Sequence, residues 1–411
     1  MLPLLQKREG ININIAAIID SNISSGGGFQ ASLSLALILQ ANQSKKYNFI
    51  FYTTVNKNVA LFKEHGIEMR YVKITPVDKI NTFIKSNKVW RFLFNFVQLK
   101  LDTIFLKGDI DLVYFLTQSS LYRFSENYNF IYTLWDLCHR DFPEFPEVSL
   151  NNEFNSREYH LHALLPKAVH IFTESDLGKI NAIKRYAVDE DRISALPMIP
   201  SESSKLSTEW LEKNYLNIKE KYLLQHEYIF YPAQFWAHKN HIYILEALKI
   251  LKEEFDIALC AVFSGSDQGN LPYIQSAAKR MKIDELVHCI GFVDNNEIPF
   301  LYQQAVALVM PTYFGPTNIP PLEASLYKCP ILYSDLPGPN EQMKGKSLFI
   351  DLQDPKSLSL NLLKVLDKTA EVQSNVLAAY NAITNTDKAL HWNTLKTIFD
   401  GYEILQKTWK A

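Results

Sequence analysis

Two stretches in the second half of the chain combine residue types that suit an anionic, hydroxyl-bearing ligand. The first reads Met310-Pro-Thr-Tyr-Phe-Gly-Pro-Thr-Asn-Ile-Pro-Pro-Leu-Glu-Ala-Ser325. An apolar run ends at Met310, a Gly/Pro-rich loop follows, and a helix is predicted from near Pro320. Asn318 suits an N-cap, and proline in the first turn costs nothing because its missing N–H had no partner there. The amides around Thr317, Asn318 and Ile319, with the positive end of the helix dipole, would form an anion site. Glu323, read on the first turn, cannot bind phosphate but can accept hydrogen bonds from sugar hydroxyls. Amides for a diphosphate and a carboxylate for a ribose are what a nucleoside diphosphate sugar would need. The same residues also fit an ordinary strand–loop–helix connection whose glutamate only meets the helix dipole.

The second stretch is Phe230-Tyr-Pro-Ala-Gln-Phe-Trp-Ala-His-Lys-Asn-His241. Again a strand is predicted to end, a loop to follow, and a helix to begin near Ile242. Lys239 could reach over the strand ends to a phosphate as a compact point charge, and Gln234 is a neutral polar neighbour. Taken alone, Lys239 also reads as a solvated loop lysine. Two such loops in one half of the chain weaken that reading.

Loops of this kind need strands and helices in alternation to hold them. Predicted strands are Ile13–Asp20, Phe49–Thr53, Met69–Ile74, Leu112–Leu116, Phe130–Leu134 and Val169–Thr173. A second series comprises Tyr228–Tyr231, Ile257–Phe263, Val306–Met310 and Ile331–Tyr333. Helical patterns intervene, so the class is α/β with parallel, doubly wound sheets. The rhythm pauses between Pro200 and Glu220, where the linker is placed near its start. Residues 1–200 and 201–390 are then two Rossmann-like domains, with the apolar helix of residues 391–411 packing back on the first. A chain of 411 residues suits two domains of that size. Ligands of such sheets bind at the carboxyl ends of the strands.

Bulk composition narrows the class. A formal net charge of −2 argues against a nucleic-acid-binding protein. Cys138, Cys260, Cys289 and Cys329 are scattered, which fits a reducing compartment and argues against a zinc site. Met1–Leu5 is apolar but Lys7, Arg8 and Glu9 follow, too short a run for a signal peptide. No run approaches the roughly 20 apolar residues of a membrane span. A cytoplasmic protein is expected, one that could rest on a membrane surface.

The second half resembles retaining glycosyltransferase family 4, the glycosyl transferases group 1. The shared pattern is Lys239-Asn240, Gly291-Phe292-Val293, Pro311–Pro321 and Leu322-Glu323-Ala324, continued by Pro330-Ile331-Leu332 and Ser334-Asp335. The resemblance is strong from Tyr228 to Glu341 and looser elsewhere. It implies the GT-B fold, two Rossmann-like domains facing each other across a cleft, and transfer of a sugar from a nucleotide diphosphate sugar with retention. It assigns Lys239 to the diphosphate and Glu323 to the ribose. Two positions depart from the family. Its paired glutamates lie eight positions apart, and the first would fall at Gly315; a basic residue common before the lysine is replaced by Gln234.

In the first half, Gly26-Gly27-Gly28 follows the first strand. It is not a dinucleotide fingerprint, and the second strand lacks the acidic residue that would hold an NAD ribose. The resemblance turns Gly27 and Gly28 toward the donor phosphate or acceptor; a plain tight turn is the other reading. Thr133–Glu147 resembles the family's His-Asp loop, with Trp135 at the usual histidine position. Asp136 could orient or deprotonate an acceptor hydroxyl and His139 could contact sugar or phosphate, or either could fix the loop. Glu174-Ser175 resembles a family step into a helix, or a cap. Asp109-Ile-Asp111 precedes its strand, so it reads as surface charge, and no metal or other cofactor is expected. Residues 81–107 are basic and aromatic, which fits either an anionic membrane surface or a helix packed on the sheet.

The resulting expectation is a retaining glycosyltransferase acting on a glycan or lipid-linked acceptor in cell-surface polysaccharide or lipopolysaccharide biosynthesis. A sugar-nucleotide epimerase of the same plan and a catalytically silent sugar-nucleotide-binding subunit stand as alternatives.

Overall fold

The computed structural model describes residues 13–22, 26–86, 88–94, 96–200, 206–386 and 388–409. The apolar start and the expected linker at 201–205 lie outside the described residues. Two parallel sheets form the frame. The first contains β1 (Ile13–Ile18), β2 (Tyr47–Thr53), β3 (Met69–Tyr71), β4 (Leu112–Phe115), β5 (Phe130–Leu134), β6 (His170–Thr173) and β7 (Ile193–Ala195), in the order β3-β2-β1-β4-β5-β6-β7. The second contains β8 (Tyr228–Pro232), β9 (Cys260–Ser264), β10 (Val287–Gly291), β11 (Ala307–Met310), β12 (Ile331–Ser334) and β13 (Leu348–Ile350), in the order β10-β9-β8-β11-β12-β13.

The residues explain the parallel arrangement. Every residue of β1, β4, β9 and β11 is buried, as strands covered on both faces require. Each sheet reverses its winding once, between β1 and β4 and between β8 and β11. Those are the places where a doubly wound sheet opens a crevice for a ligand. The loops read as chemically equipped follow β8 and β11, and so flank the reversal in the second sheet.

The chain divides into two compact units that do not follow a single cut. One holds residues to Trp135, Arg157–Leu196 and the final helix; the other holds Asp136–Ser156 and Pro197–Thr386. Asp136 and His139, assigned from sequence to the first domain, therefore lie in the second unit. The final helix, Lys388–Gln406, belongs to the first unit. Its Trp392 and Phe399 meet the rings of Tyr47 and Phe49, and Asp400 accepts from the Tyr47 hydroxyl and the Lys46 ammonium.

Asp111 corrects the reading of Asp109-Ile-Asp111 as surface charge. Its Oδ2 accepts from the Asn14 amide at 2.8 Å and its Oδ1 from Gln406 at 3.1 Å, so it ties β1 to the final helix. Among the described residues no cluster of acidic, histidine or cysteine side chains could hold a metal ion, and no helix is long and apolar enough to cross a membrane.

Candidate active site

After β8 the chain runs through a short 3-10 turn, Ala237–Lys239, and enters the helix His241–Phe255. Asn240, at φ 55°, makes the join, a left-handed conformation that asparagine tolerates better than most residues. The fully buried Tyr231 of β8 donates its hydroxyl to the Lys239 carbonyl at 3.0 Å, which fixes the lysine's backbone over the strand end. Burial holds the His238 and His241 rings below their usual pKa, to about 4 and about 3, and the Lys239 ammonium adds to both shifts. Gln234 accepts from the Trp236 indole at 3.0 Å and donates to Ser266 at 3.2 Å, so its amide braces this loop.

The loop after β11 is joined to the first by the Tyr313 amide, which donates to the His238 carbonyl at 3.0 Å. Gly315 sits at φ 90°, and a Cβ there would lie 2.9 Å from Asn318 Nδ2. That conformation disfavours the carboxylate that the family pattern places at this position. The helix starts at Ile319, with Asn318 at the N-cap position, but the Asn318 side chain does not cap it. Its Nδ2 donates instead to the Tyr333 hydroxyl at 2.6 Å and the Gly315 carbonyl at 3.3 Å.

Two expectations about this helix start need correction. The Asn318 N–H is already donated to Gln342 at 3.1 Å, and Pro320 and Pro321 carry no N–H. Few amides are left in the first turn, so an anion there meets mainly the helix dipole and the amide of Ile319. Glu323 is the fifth residue of the helix Ile319–Leu326, in its second turn, and is half-buried. Its Oε2 accepts from the hydroxyl of Tyr302, which is sealed in the core, at 3.1 Å. The carboxylate is thus oriented from below by the core rather than by the helix end.

The segment Asp136–Ser156 packs onto these loops, a contact that local sequence patterns do not signal. The Gly315 amide donates to Cys138 Sγ at 3.3 Å. Phe142 and Phe145 pack against Tyr313 and Phe314, with centroids 5.2–6.0 Å apart. Asp136 Oδ1 accepts from the Cys138 amide at 3.0 Å, which shapes the segment's first turn. His139 is completely buried, edge-on to Phe154 at 5.5 Å.

In the first unit, Gly27 and Gly28 form the first turn of the helix Gly27–Ala41, and Gly26, at φ 60°, turns the chain into it. A Cβ on Gly28 would lie 2.8 Å from the Trp135 ring, so the glycine lets that ring lie against the helix. Asp20, just after β1, accepts from the hydroxyls of Thr117 and Ser119, which follow β4, and so ties the two loops at this sheet's reversal. Ser175 is a true cap, accepting from the Gly178 amide at 3.0 Å.

Residues 215–382 match the family described as glycosyl transferases group 1. They form a group 1 glycosyltransferase domain. It lies wholly in the second unit and contains both loops just described. Two curated relatives are similar to the chain. The O-antigen chain mannosyltransferase RfbU of Salmonella typhimurium is 27% identical over 191 residues, 46% of this chain and 48% of that protein. The O-antigen chain mannosyltransferase B of Escherichia coli is 23% identical over 225 residues, 54% of this chain and 58% of that protein. The chain thus spans about half the length of the curated relatives it matches. Among solved structures, Anabaena HepE in complex with UDP-glucose superposes with a TM-score of 0.73 at 13% identity, covering 95% of this chain and all of that one. That likeness extends the fold beyond the group 1 domain to nearly the whole chain, which has the GT-B architecture.

Proposed function

We propose that the protein transfers a sugar from a nucleotide diphosphate sugar to the hydroxyl of a glycan or lipid-linked acceptor, with retention at the anomeric carbon, in cell-surface polysaccharide biosynthesis. The observation that carries this reading is the position of Lys239, in the loop after β8, and Glu323, in the helix that the loop after β11 leads into, on either side of the second sheet's reversal. Lys239 would meet the diphosphate and stabilise it as it leaves, where negative charge develops. Glu323, oriented by Tyr302, would accept from the ribose hydroxyls. The Ile319 amide would add to the diphosphate site, and Gln234 and Asn318 would hold the two loops in shape. Gly315 would let the loop pass close beneath the ligand. Asp136 and His139 are assigned to building the segment that covers the donor loops. The reaction as drawn uses no metal.

Lys239→Ala is expected to lower kcat/KM by about 10²–10³-fold, the scale of losing one charge-stabilising group. Glu323→Gln is expected to raise the donor KM by roughly 10-fold, since a charge-assisted hydrogen bond contributes about 1.5–3 kcal/mol. A thermal-shift screen against UDP-, GDP- and dTDP-sugars finds the donor, because a ligand that binds only the folded state raises its melting temperature. Product analysis with and without acceptor then separates transfer from epimerisation. A donor that binds without transfer or slow hydrolysis would establish the silent-subunit reading instead.

The lipid-facing part of the proposal rests on the helices Pro76–Ser86 and Lys88–Leu93 of the first unit. The first of them buries no residue. Val77, Ile80, Phe83, Val89, Trp90, Phe92, Leu93 and Phe96 are all exposed, Phe92 at 84%. So many exposed apolar side chains on adjacent helices mark an interaction surface, and the exposed Lys79 beside them suits an anionic membrane.

A further inference from the structure

One polar pair beside the donor loops has no part in the roles assigned above. Glu147, from the segment Asp136–Ser156, accepts from both the backbone N–H and the Nδ1 of His238, the first at 2.9 Å. Both side chains are nearly buried, 9% and 11% exposed. The His238 ring lies flat on Phe314, with centroids 4.2 Å apart and planes 11° from parallel, and nearly parallel to the Trp236 ring two residues earlier in the same loop. The ring is therefore held by one hydrogen bond and a stack, and the backbone behind it by the second hydrogen bond. Nε2 bonds to no described residue, and it is not among the atoms sealed from solvent. His238 joins the Lys239 loop to Phe314 of the second loop, and it directly precedes Lys239.

We propose that Glu147 and His238 form a carboxylate–imidazole dyad that binds a hydroxyl of the donor sugar. Glu147 is the positioning residue. By accepting from Nδ1–H it fixes the ring as the tautomer whose Nε2 carries a lone pair. That lone pair accepts a hydrogen bond from a hydroxyl and has nothing to offer a phosphate. The two neighbouring residues then divide the ligand, Lys239 taking the anionic diphosphate and His238 a neutral hydroxyl. The inference rests on the donor-site reading of these loops. Charge supports the division. Burial keeps the imidazole neutral well below physiological pH, with a pKa lowered to about 4. Burial also pushes Glu147 up, but the hydrogen bonds from His238 outweigh it and hold the carboxyl below its usual range. A neutral ring on a carboxylate is the state in which Nε2 is an acceptor.

The test uses the full-length protein with 15N-labelled histidine, read by NMR, together with donor affinities. The free protein is expected to show His238 as the Nδ1–H tautomer from pH 5.5 to 8, and Glu147→Gln to show a mixture. From UDP-glucose, GDP-mannose and dTDP-glucose, the sugar that raises the melting temperature is compared with its free nucleoside diphosphate. The sugar nucleotide is expected to move the Nε2 resonance, and the diphosphate alone to leave it in place. His238→Phe keeps a flat ring for Phe314; it is expected to weaken the sugar nucleotide at least 10-fold while leaving the free diphosphate within 2-fold, a contrast that a purely structural role would not produce. An Nε2–H tautomer in the free protein, equal resonance shifts with both ligands, or equal affinity losses in His238→Phe would each overturn the dyad. Binding of none of the three sugar nucleotides would overturn the donor reading together with it, whereas binding without an Nε2 response would overturn the dyad alone.

Discussion

Two residues show how burial and backbone conformation act on single positions near the site. His241 is fully buried among Tyr231, Phe235 and Phe263, and neither ring nitrogen has a partner among the described residues. Burial, with smaller contributions from Lys239 and His238, lowers its pKa to about 3. Because the folded value is depressed, between about 6.5 and 3 the unfolded chain binds a proton that the folded chain does not. Stability is therefore complete above pH 6.5 and falls as the pH drops, by up to about 1.4 kcal/mol per pH unit for this ring. His241→Phe removes that proton and two unsatisfied buried nitrogens. Its stabilisation over wild type should widen by about 2 kcal/mol between pH 7 and pH 5 in urea denaturation; a constant difference would show that His241 is not the titrating group. Gly315→Glu tests the other residue. Restoring the family's carboxylate forces an L side chain to φ 90° against Asn318, so it should cost about 1–2 kcal/mol and gain no activity. A more active variant would show that the glycine is a lost catalytic group rather than a conformational requirement. The sequence singled out Lys239, Glu323 and Gly315 as candidate positions. It could not show that Asn318 is spent on Tyr333 and Gln342, or that Glu147 reaches His238 across 91 residues, because such contacts leave no local pattern.

Among the elements, those with strong hydrophobic runs were legible and the short ones were not. Phe130–Leu134 coincides with β5, and nine other strands were found within a few residues, since Ile-, Val- and Phe-rich runs bounded by turns are what buried parallel strands require. β7 and β13 have only three residues each, and β10 mixes His288 and Cys289 into a half-buried run, too little for a periodicity to register. The segment 81–107 left two readings open from sequence, and exposure separates its parts. Leu101 and Phe105 pack into the core, whereas the helices Pro76–Ser86 and Lys88–Leu93 keep their large apolar groups outside. A helix pair with that much exposed apolar surface would bind a membrane through burial of those groups and through attraction of its cations to anionic lipid. Phe83→Ser, Trp90→Ser and Phe92→Ser combined should lower partition onto phosphatidylserine-containing vesicles at least 10-fold in a flotation assay. The thermal-shift response to the donor should be unchanged, because none of the three side chains supports either sheet. Vesicle binding that survives the triple change would move the membrane contact elsewhere.

At the scale of the molecule, the chain leaves each unit and returns to it, and this has a thermodynamic consequence. The first unit is completed by residues after 386, and the second by residues 136–156. Leu395 and Phe399 of the final helix are fully buried, Tyr402 donates to the Asp111 carbonyl at 2.9 Å, and Asp400 binds Lys46 and Tyr47. Hydrogen bonds from Lys396, Lys46 and Tyr47 outweigh the upward push of burial on Asp400 and hold its carboxyl well below the usual range. Each of the two large apolar side chains contributes about 1.5–3 kcal/mol when buried. Removing residues 387–411 should therefore lower the melting of the first unit by about 10 °C or more, at roughly 2–4 °C per kcal/mol for a unit of this size. The second unit owns both donor loops and the segment that covers them, so its own transition should stay in place. It should also keep its upward shift with the sugar nucleotide, because ligand binding stabilises only the unit that holds the site. Calorimetry of the full and shortened chains, each with and without donor, separates the cases. A single transition that moves as one in all four samples would show that the units unfold as one cooperative body and that the final helix supports the donor site as much as the sheet it packs on.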